Sequence, residues 1–128
     1  MRITAIHHIA IIATDYERSK RFYVDVLGFE LLEEFFRAER DSWMGKLALN
    51  GSYIVELFSF PNPPARQSGP EATGLRHLAF AVPDVVEALA ELDALGIRHE
   101  ELRVDPNTLK QMAFFFDPDG LPLEFYET

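Results

Sequence analysis

The sequence predicts an α+β fold made of two copies of one β-α-β-β-β module. Residues 6–11 (IHHIAI) are repeated at residues 75–80 (LRHLAF), with the shared order apolar, polar, His, apolar, Ala, apolar. An aspartate suited to begin a helix follows each His by seven residues, and a glutamate follows by forty-eight residues in one half and forty-seven in the other. Chance rarely preserves several spacings together, so we expect an internal duplication.

The first module begins with an apolar, β-branched strand over residues 6–13. Thr14-Asp15 offers a helix N-cap, and Thr14 with Glu17 matches a capping box. One face of the following helix is apolar, and Gly28 fits its C′ position, where glycine adopts a left-handed conformation cheaply.

Three strands complete this module, over residues 29–36, 42–49 and 52–60. The dipeptide Asn50-Gly51 is a strong hairpin signal between the last two. Residues 1–60 therefore constitute module one. Residues 61–74 contain four of the eight prolines, which predicts a linker without regular structure.

Module two spans residues 75–128 and repeats this order within the single domain of residues 1–128. A strand over 75–82 precedes a helix with Asp84 as N-cap, and Gly96 ends that helix. Strands are predicted over residues 97–104, 112–116 and 121–126, with a tight turn over 117–120.

Composition limits the classes of partner. The formal net charge of −9 opposes binding to nucleic acid and to anionic membranes. There is no cysteine, so any metal must take His and carboxylate ligands. No apolar run approaches the ~18 residues of a membrane span, and no signal region precedes the first strand, so a cytoplasmic protein is expected.

The repeat places one His on the first strand and one Glu on the last strand of each module. If the modules pair by pseudo-twofold symmetry, His8, Glu56, His77 and Glu124 can meet. Two imidazoles and two carboxylates suit a divalent ion such as Zn, Ni, Co, Mn or Fe(II). Taken singly, each His would more often be a hydrogen-bonded core residue and each Glu a solvated one, but the symmetry favours the metal site.

For the other candidate residues, an ordinary structural role is commoner than a functional one. His7 is expected to face away from His8, and His99 to lie at the surface. Aromatic residues and a methionine are candidates to line a pocket, although core packing is their commoner role: Trp43, Phe58, Met112, Phe114 and Phe116. Three arginines are candidate anion contacts, although solvated side chains are commoner: Arg37, Arg40 and Arg103.

Several motifs across essentially the whole chain resemble the vicinal oxygen chelate superfamily, which includes glyoxalase I, extradiol dioxygenases, methylmalonyl-CoA epimerase and fosfomycin-resistance proteins. They comprise His8 and His77 in their repeated strands, a helix with the pattern S-x-x-F-Y-x-x-V-L-G-F from Ser19, and two carboxylate motifs. The latter are residues 55–57 (VEL) and residues 116–120 (FDPDG) with Leu123-Glu124.

The resemblance implies two βαβββ modules that form a cupped mixed sheet around a metal. The His-Glu-His-Glu set is similar to that of bacterial glyoxalase I. By position it makes His8, Glu56, His77 and Glu124 the ligands, with Glu124 preferred to Glu56 as the catalytic base. Zn, Ni or Co is the expected metal, with Fe or Mn as alternatives, and a homodimer is expected.

The implied activity is that of a metal-dependent lyase or isomerase of the lactoylglutathione-lyase type. Three positions where glyoxalase I carries polar groups for glutathione hold Ile12, Phe60 and Thr73 here. A small substrate other than a glutathione adduct is therefore expected. The alternatives are an Fe(II) dioxygenase of the extradiol type and a resistance or binding protein that sequesters a ligand without chemistry.

Overall fold

A computed structural model describes all 128 residues, which form two compact units over residues 1–64 and 65–128. The division falls inside the predicted linker of residues 61–74. Neither unit has a helix with the length and apolar character needed to cross a lipid bilayer. Each unit holds one four-stranded mixed sheet and one main helical segment, which confirms the α+β prediction of two β-α-β-β-β modules.

In the first unit the elements follow the predicted order. They are β1 (Ile9–Ala13), α1 (Tyr16–Arg21), β2 (Glu30–Arg37), β3 (Ser42–Leu49) and β4 (Ser52–Ser59). The strand order is β1-β4-β3-β2, and only the β1–β4 pair is parallel. The parallel pairing sets the first strand beside the last. A site built from residues of both strands requires this arrangement.

The helical segment differs from the prediction at its start and in its second half. Asp15 is the N-cap, since its side chain accepts a hydrogen bond from the Arg18 backbone N–H; the predicted Thr14–Glu17 capping box is therefore wrong. After α1 the chain continues as a π-helical turn over Phe22–Val26. Gly28 follows with a φ of 78°, the left-handed conformation predicted for it.

The second unit repeats the arrangement. Its elements are β5 (Leu78–Val82), α2 (Val85–Ala94), β6 (Arg103–Val104), β7 (Gln111–Phe116) and β8 (Pro122–Glu127). The strand order β5-β8-β7-β6 again makes the first and last strands parallel neighbours. Asp84 is the N-cap of α2, as predicted.

The predicted strand over residues 97–104 is wrong for most of its length. Only β6 pairs regularly with β7, and His99 makes one isolated bridge to Phe115. The His99 ring bonds both the Glu100 carbonyl and the Asp93 carboxylate. Such local side-chain bonds compete with a regular strand ladder, which explains the irregular backbone here.

Each sheet has one face that is buried where its central strands lie. In the first unit Ile11, Val55 and Leu57 are at most 6% exposed, and in the second Leu123 and Phe115 are completely buried. Successive residues of a strand point to opposite faces, so Glu56 and Glu124 lie on the other, more open faces. The core therefore directs both glutamates toward the accessible side of their sheets.

Candidate functional site

The first candidate pair joins the beginning of β1 to the middle of β4. His8 Nε2 lies 3.3 Å from Glu56 Oε1, and the Glu56 side chain is 15% exposed. His8 directly precedes β1, and Ala10, two residues later, stands opposite Glu56 in the parallel register.

Tyr53 holds the second oxygen of Glu56 through a hydrogen bond from its hydroxyl. Its ring also stacks on His8, with centroids 5.4 Å apart and planes 26° apart. Burial raises the pKa of the Tyr53 phenol, and the hydrogen bond and negative charge of Glu56 raise it further. The hydroxyl therefore remains a protonated donor, and it orients this carboxylate.

His7 does not face away from His8. Its Nδ1 lies 2.8 Å from the Nδ1 of His8, and the two rings meet edge to face. The strand prediction assumed that side chains alternate from residue 6, whereas β1 begins only at Ile9. Alternation therefore does not apply to this pair.

The second candidate pair has the same form. His77 Nε2 lies 3.0 Å from Glu124 Oε2, and the Glu124 side chain is 7% exposed. Ala79 stands opposite Glu124, as Ala10 stands opposite Glu56. The Ala of the repeated motif thus has the same structural role in both modules.

The polar residue before each His also has a repeated role. Arg76 Nη1 lies 3.1 Å from His77 Nδ1, at the position that His7 takes beside His8. A guanidinium only donates hydrogen bonds, so His77 accepts at Nδ1 and donates from Nε2 to Glu124. Sequence reasoning missed Arg76 and Tyr53, although the shared polar position in the motif pointed to Arg76.

The structure thus brings the four predicted residues together as two His–Glu pairs, one within each unit. No group of three or more His, Asp or Glu side chains that could hold a metal ion is present. The spacing within each pair is still informative. Two ligand atoms bound to one ion at octahedral or tetrahedral angles lie about 3.0 to 3.4 Å apart. Both pairs match this separation.

The remaining candidates divide between local packing and a cleft. Trp43 stacks on Tyr16, and Phe58 stacks on Phe60 beneath the Arg37 guanidinium. Phe114, Phe116 and Arg103 line a cleft in the second unit. Arg40 and Met112 contact neither His–Glu pair. Arg40 lies over the ring of Phe60, and Met112 is half-buried in β7.

His99 is not part of either pair. Its Nε2 lies 2.9 Å from Asp93 Oδ1, and its Nδ1 lies 2.7 Å from the Glu100 carbonyl. The hydrogen bond to that carbonyl raises the pKa of His99, burial opposes the change, and Asp93 adds to it. The ring is half-buried rather than fully at the surface.

Residues 5–125 match the family model described as the Glyoxalase/Bleomycin resistance protein/Dioxygenase superfamily. The chain belongs to this superfamily. The vicinal oxygen chelate resemblance of the sequence motifs is thereby confirmed.

Two relatives are similar over nearly their whole length. The uncharacterized protein YaeR of Escherichia coli (strain K12) is 62% identical over 122 residues, which are 95% of each chain. The crystal structure of a glyoxalase family protein from Enterococcus faecalis is 50% identical, with a TM-score of 0.92 over 99% of this chain and 100% of that one.

More distant members of the superfamily carry different activities in their names. A lactoylglutathione lyase of Schizosaccharomyces pombe is 24% identical over 93% of this chain and 46% of its own length. A catechol-2,3-dioxygenase of Bacillus subtilis (strain 168) is 30% identical over 96% of this chain and 41% of its own length. The superfamily thus covers more than one reaction.

Proposed function

We propose that the protein is a metal-dependent lyase or isomerase that acts on a small carbonyl compound. One observation carries this proposal: each module places a His nitrogen and a Glu oxygen about one ligand-to-ligand distance apart, at equivalent positions of its sheet. A chance ion pair in one module would have no reason to recur at the same register in the other.

The donor set fits a divalent ion. We propose that His8, Glu56, His77 and Glu124 are its ligands, with Zn, Ni or Co preferred and Fe or Mn as alternatives. Their meeting at one ion is part of the proposal, either within a chain or across a homodimer. When bound, the metal would supply Lewis-acid polarisation of a substrate carbonyl oxygen.

The surroundings of the two carboxylates favour Glu124 as the base. The carboxylate of Glu56 is held by both His8 and Tyr53, whereas the carboxylate of Glu124 has His77 as its one polar side-chain partner and is more deeply buried. In the proposed reaction a Glu124 carboxylate oxygen takes the proton from the carbon next to the carbonyl. It then returns that proton to the former carbonyl carbon, while the hydroxyl proton of the first carbon moves to the former carbonyl oxygen, so the isomerisation consumes no other reactant.

The proposed substrate is not a glutathione adduct. The side chain of Ile12 is exposed and apolar, and Phe60 packs against Phe58. Neither residue can bind a carboxylate, because neither carries a hydrogen-bond donor in its side chain. A 2-oxoaldehyde adduct of a smaller thiol fits these positions better.

Metal content and activity test the proposal together. We expect purified protein to bind one divalent ion per chain and to convert methylglyoxal in the presence of a small thiol. His8→Ala and His77→Ala should each abolish tight binding. His99→Ala is the matched control, because it removes a His–carboxylate pair outside the site and should leave the stoichiometry unchanged.

Two results would overturn the proposal. One is the absence of any metal affinity on titration, which would favour a protein that sequesters its ligand without chemistry. The other is oxygen uptake with Fe(II) and a catechol, together with no turnover of methylglyoxal under any metal. That result would favour a dioxygenase, which the similarity to the Bacillus subtilis enzyme makes the second candidate.

A further inference from the structure

A cleft of about 250 Å³ opens in the second unit beside the His77–Glu124 pair. Phe114 and Phe116 of β7 form part of its wall, and Phe114 stands opposite Glu124 in the sheet. The His77 ring meets Phe114 edge-on, with centroids 5.2 Å apart. The cleft therefore adjoins the second half of the proposed site.

Two arginines border the same aromatic ring of this cleft. The guanidinium carbons of Arg76 and Arg103 lie 5.8 and 5.6 Å from the Phe114 centroid. Cation–π contact of this kind positions a guanidinium beside the ring and leaves its N–H groups able to bind an anion. Two such groups at one wall are suited to carboxylate or phosphate recognition.

The present partners of both arginines are easily replaced. Arg76 contacts Glu71 at 3.0 Å and Arg103 contacts Glu100 at 2.6 Å, but these glutamates are 61% and 38% exposed. Exposed ion pairs contribute little free energy, because water screens them. A ligand anion can therefore displace either glutamate at small cost.

Arg66, the third arginine of the cleft, has a different role. Its Nη2 donates to the carbonyls of Leu75 and Arg76, at 2.9 and 2.8 Å, and its Nε donates to Ser68. It thus fixes the backbone immediately before His77. Arg66 therefore positions the backbone of Arg76. The guanidinium groups of Arg76 and Arg103 remain as the ones that can bind a ligand.

We propose that this cleft binds the anionic group of a small molecule, a carboxylate or a phosphate, whose apolar part lies on Phe114 and Phe116. The protein as a whole carries a charge of −9, so an anion needs a local site of this kind to approach it. The identification of the bound anion with the substrate rests on the proposed function. The binding of an anion does not.

Arg76 also donates to His77 Nδ1 at 3.1 Å. A bond from the guanidinium to an anion is charge-assisted at both ends and is stronger than this one, so an anion can replace it as well.

Metal-free protein, desalted after chelation, provides a test that is independent of turnover. Benzoate, phenyl phosphate and neutral benzamide are titrated while the arginine side-chain and backbone amide signals are followed by NMR. We expect the tighter-binding of the two anions, benzoate or phenyl phosphate, to bind at least about tenfold more tightly than benzamide. Comparison of benzoate with phenyl phosphate decides between a carboxylate and a phosphate.

Variants link the binding to this cleft. Arg76→Gln and Arg103→Gln should each weaken anion binding at least about fivefold, and Arg103→Lys should weaken it less because it keeps the charge. Lys110→Gln is the control, since it removes one positive charge from the same module outside the cleft. Equal affinity for benzamide, or equal losses in the Lys110 variant, would overturn the proposal.

The two proposals fail in different ways. Suppose that the protein binds no metal but still binds anions in a way that depends on Arg76 and Arg103. The proposed reaction would then be wrong, and the proposal of an anion site in the cleft would stand. A protein that binds metal and turns over methylglyoxal, yet shows no selectivity for the anionic probes, would overturn only the cleft.

Discussion

Tyr53 donates a hydrogen bond to Glu56, whereas the equivalent position before Glu124 is held by Leu121, which has no donor in its side chain. The two His–Glu pairs are therefore equivalent in their backbone placement but not in their surroundings. One carboxylate is fixed by two neighbours, and the other is fixed by His77 alone. This difference leads to two predictions about the proposed site.

Tyr53→Phe should weaken metal binding without unfolding the protein. The variant keeps the ring that stacks on His8 and removes only the hydroxyl that orients Glu56. Loss of such an outer hydrogen bond typically lowers metal affinity about 10- to 100-fold. A Zn²⁺ titration against a competing chelator measures this change.

Tyr16→Phe is the matched control for that experiment. It also removes a hydrogen bond from a tyrosine to a glutamate in the first module, namely Glu34, but outside the proposed site. Its metal affinity should equal that of the unmodified protein. Equal losses in the two variants would show that the Tyr53 hydroxyl has no specific role in binding the metal.

Replacement of the two glutamates by glutamine should affect turnover differently. With metal at saturation, Glu124→Gln should lower kcat about 10³-fold, because the amide cannot take the substrate proton. Glu56→Gln should mainly weaken metal binding, and added metal should restore much of its turnover.

Metal content and circular dichroism, recorded on the same samples, establish that each glutamine variant is loaded and folded. Similar residual kcat values in the two saturated variants would contradict the assignment of Glu124 as the base. Full activity in Glu124→Gln would exclude that residue from proton transfer.

The repeat in the sequence predicted both modules and placed one His near the first strand and one Glu on the last strand of each. The binding of one metal by all four residues stays a prediction. The same motif sets Ala10 and Ala79 opposite their glutamates in the two parallel registers. Tyr53 was not predictable, since only one module has it and the repeat therefore gives no sign of it. The irregular backbone around His99 also escaped prediction, because it depends on a contact with Asp93 across a turn.

Gly45→Ala should destabilise the first module by about 1–3 kcal/mol. A Cβ at Gly45 would overlap the hydroxyl oxygen of Tyr16, which is 5% exposed. That hydroxyl cannot move freely, since it donates to Glu34 at 2.7 Å and the ring stacks on Trp43. Chemical denaturation measures the cost.

Removal of the Tyr16 hydroxyl should relieve the overlap. The nearest remaining Tyr16 atom, Cζ, would lie 3.4 Å from the new Cβ, a tolerable contact. The double variant Gly45→Ala, Tyr16→Phe should therefore lose less free energy of unfolding than the two single variants combined, by about 1 kcal/mol. Strict additivity would mean that the cost of Gly45→Ala arises elsewhere.

His99 should stabilise the second module at acidic pH and lose this effect as the pH rises. Its pKa is raised in the folded state, mainly by the Glu100 carbonyl and further by Asp93, so folding favours the protonated ring. The stabilisation is complete below the unfolded pKa of about 6.5 and disappears as the pH rises through the higher folded value.

The difference in unfolding free energy between the unmodified protein and His99→Gln should accordingly be larger near pH 5.5 than near pH 8.5. Asp93 is 69% exposed, so we expect a change below about 1 kcal/mol. Asp93→Asn should reduce the pH dependence but not remove it, because the bond to the Glu100 carbonyl remains. A difference that grows toward alkaline pH would contradict the assignment of two donated hydrogen bonds to the His99 ring.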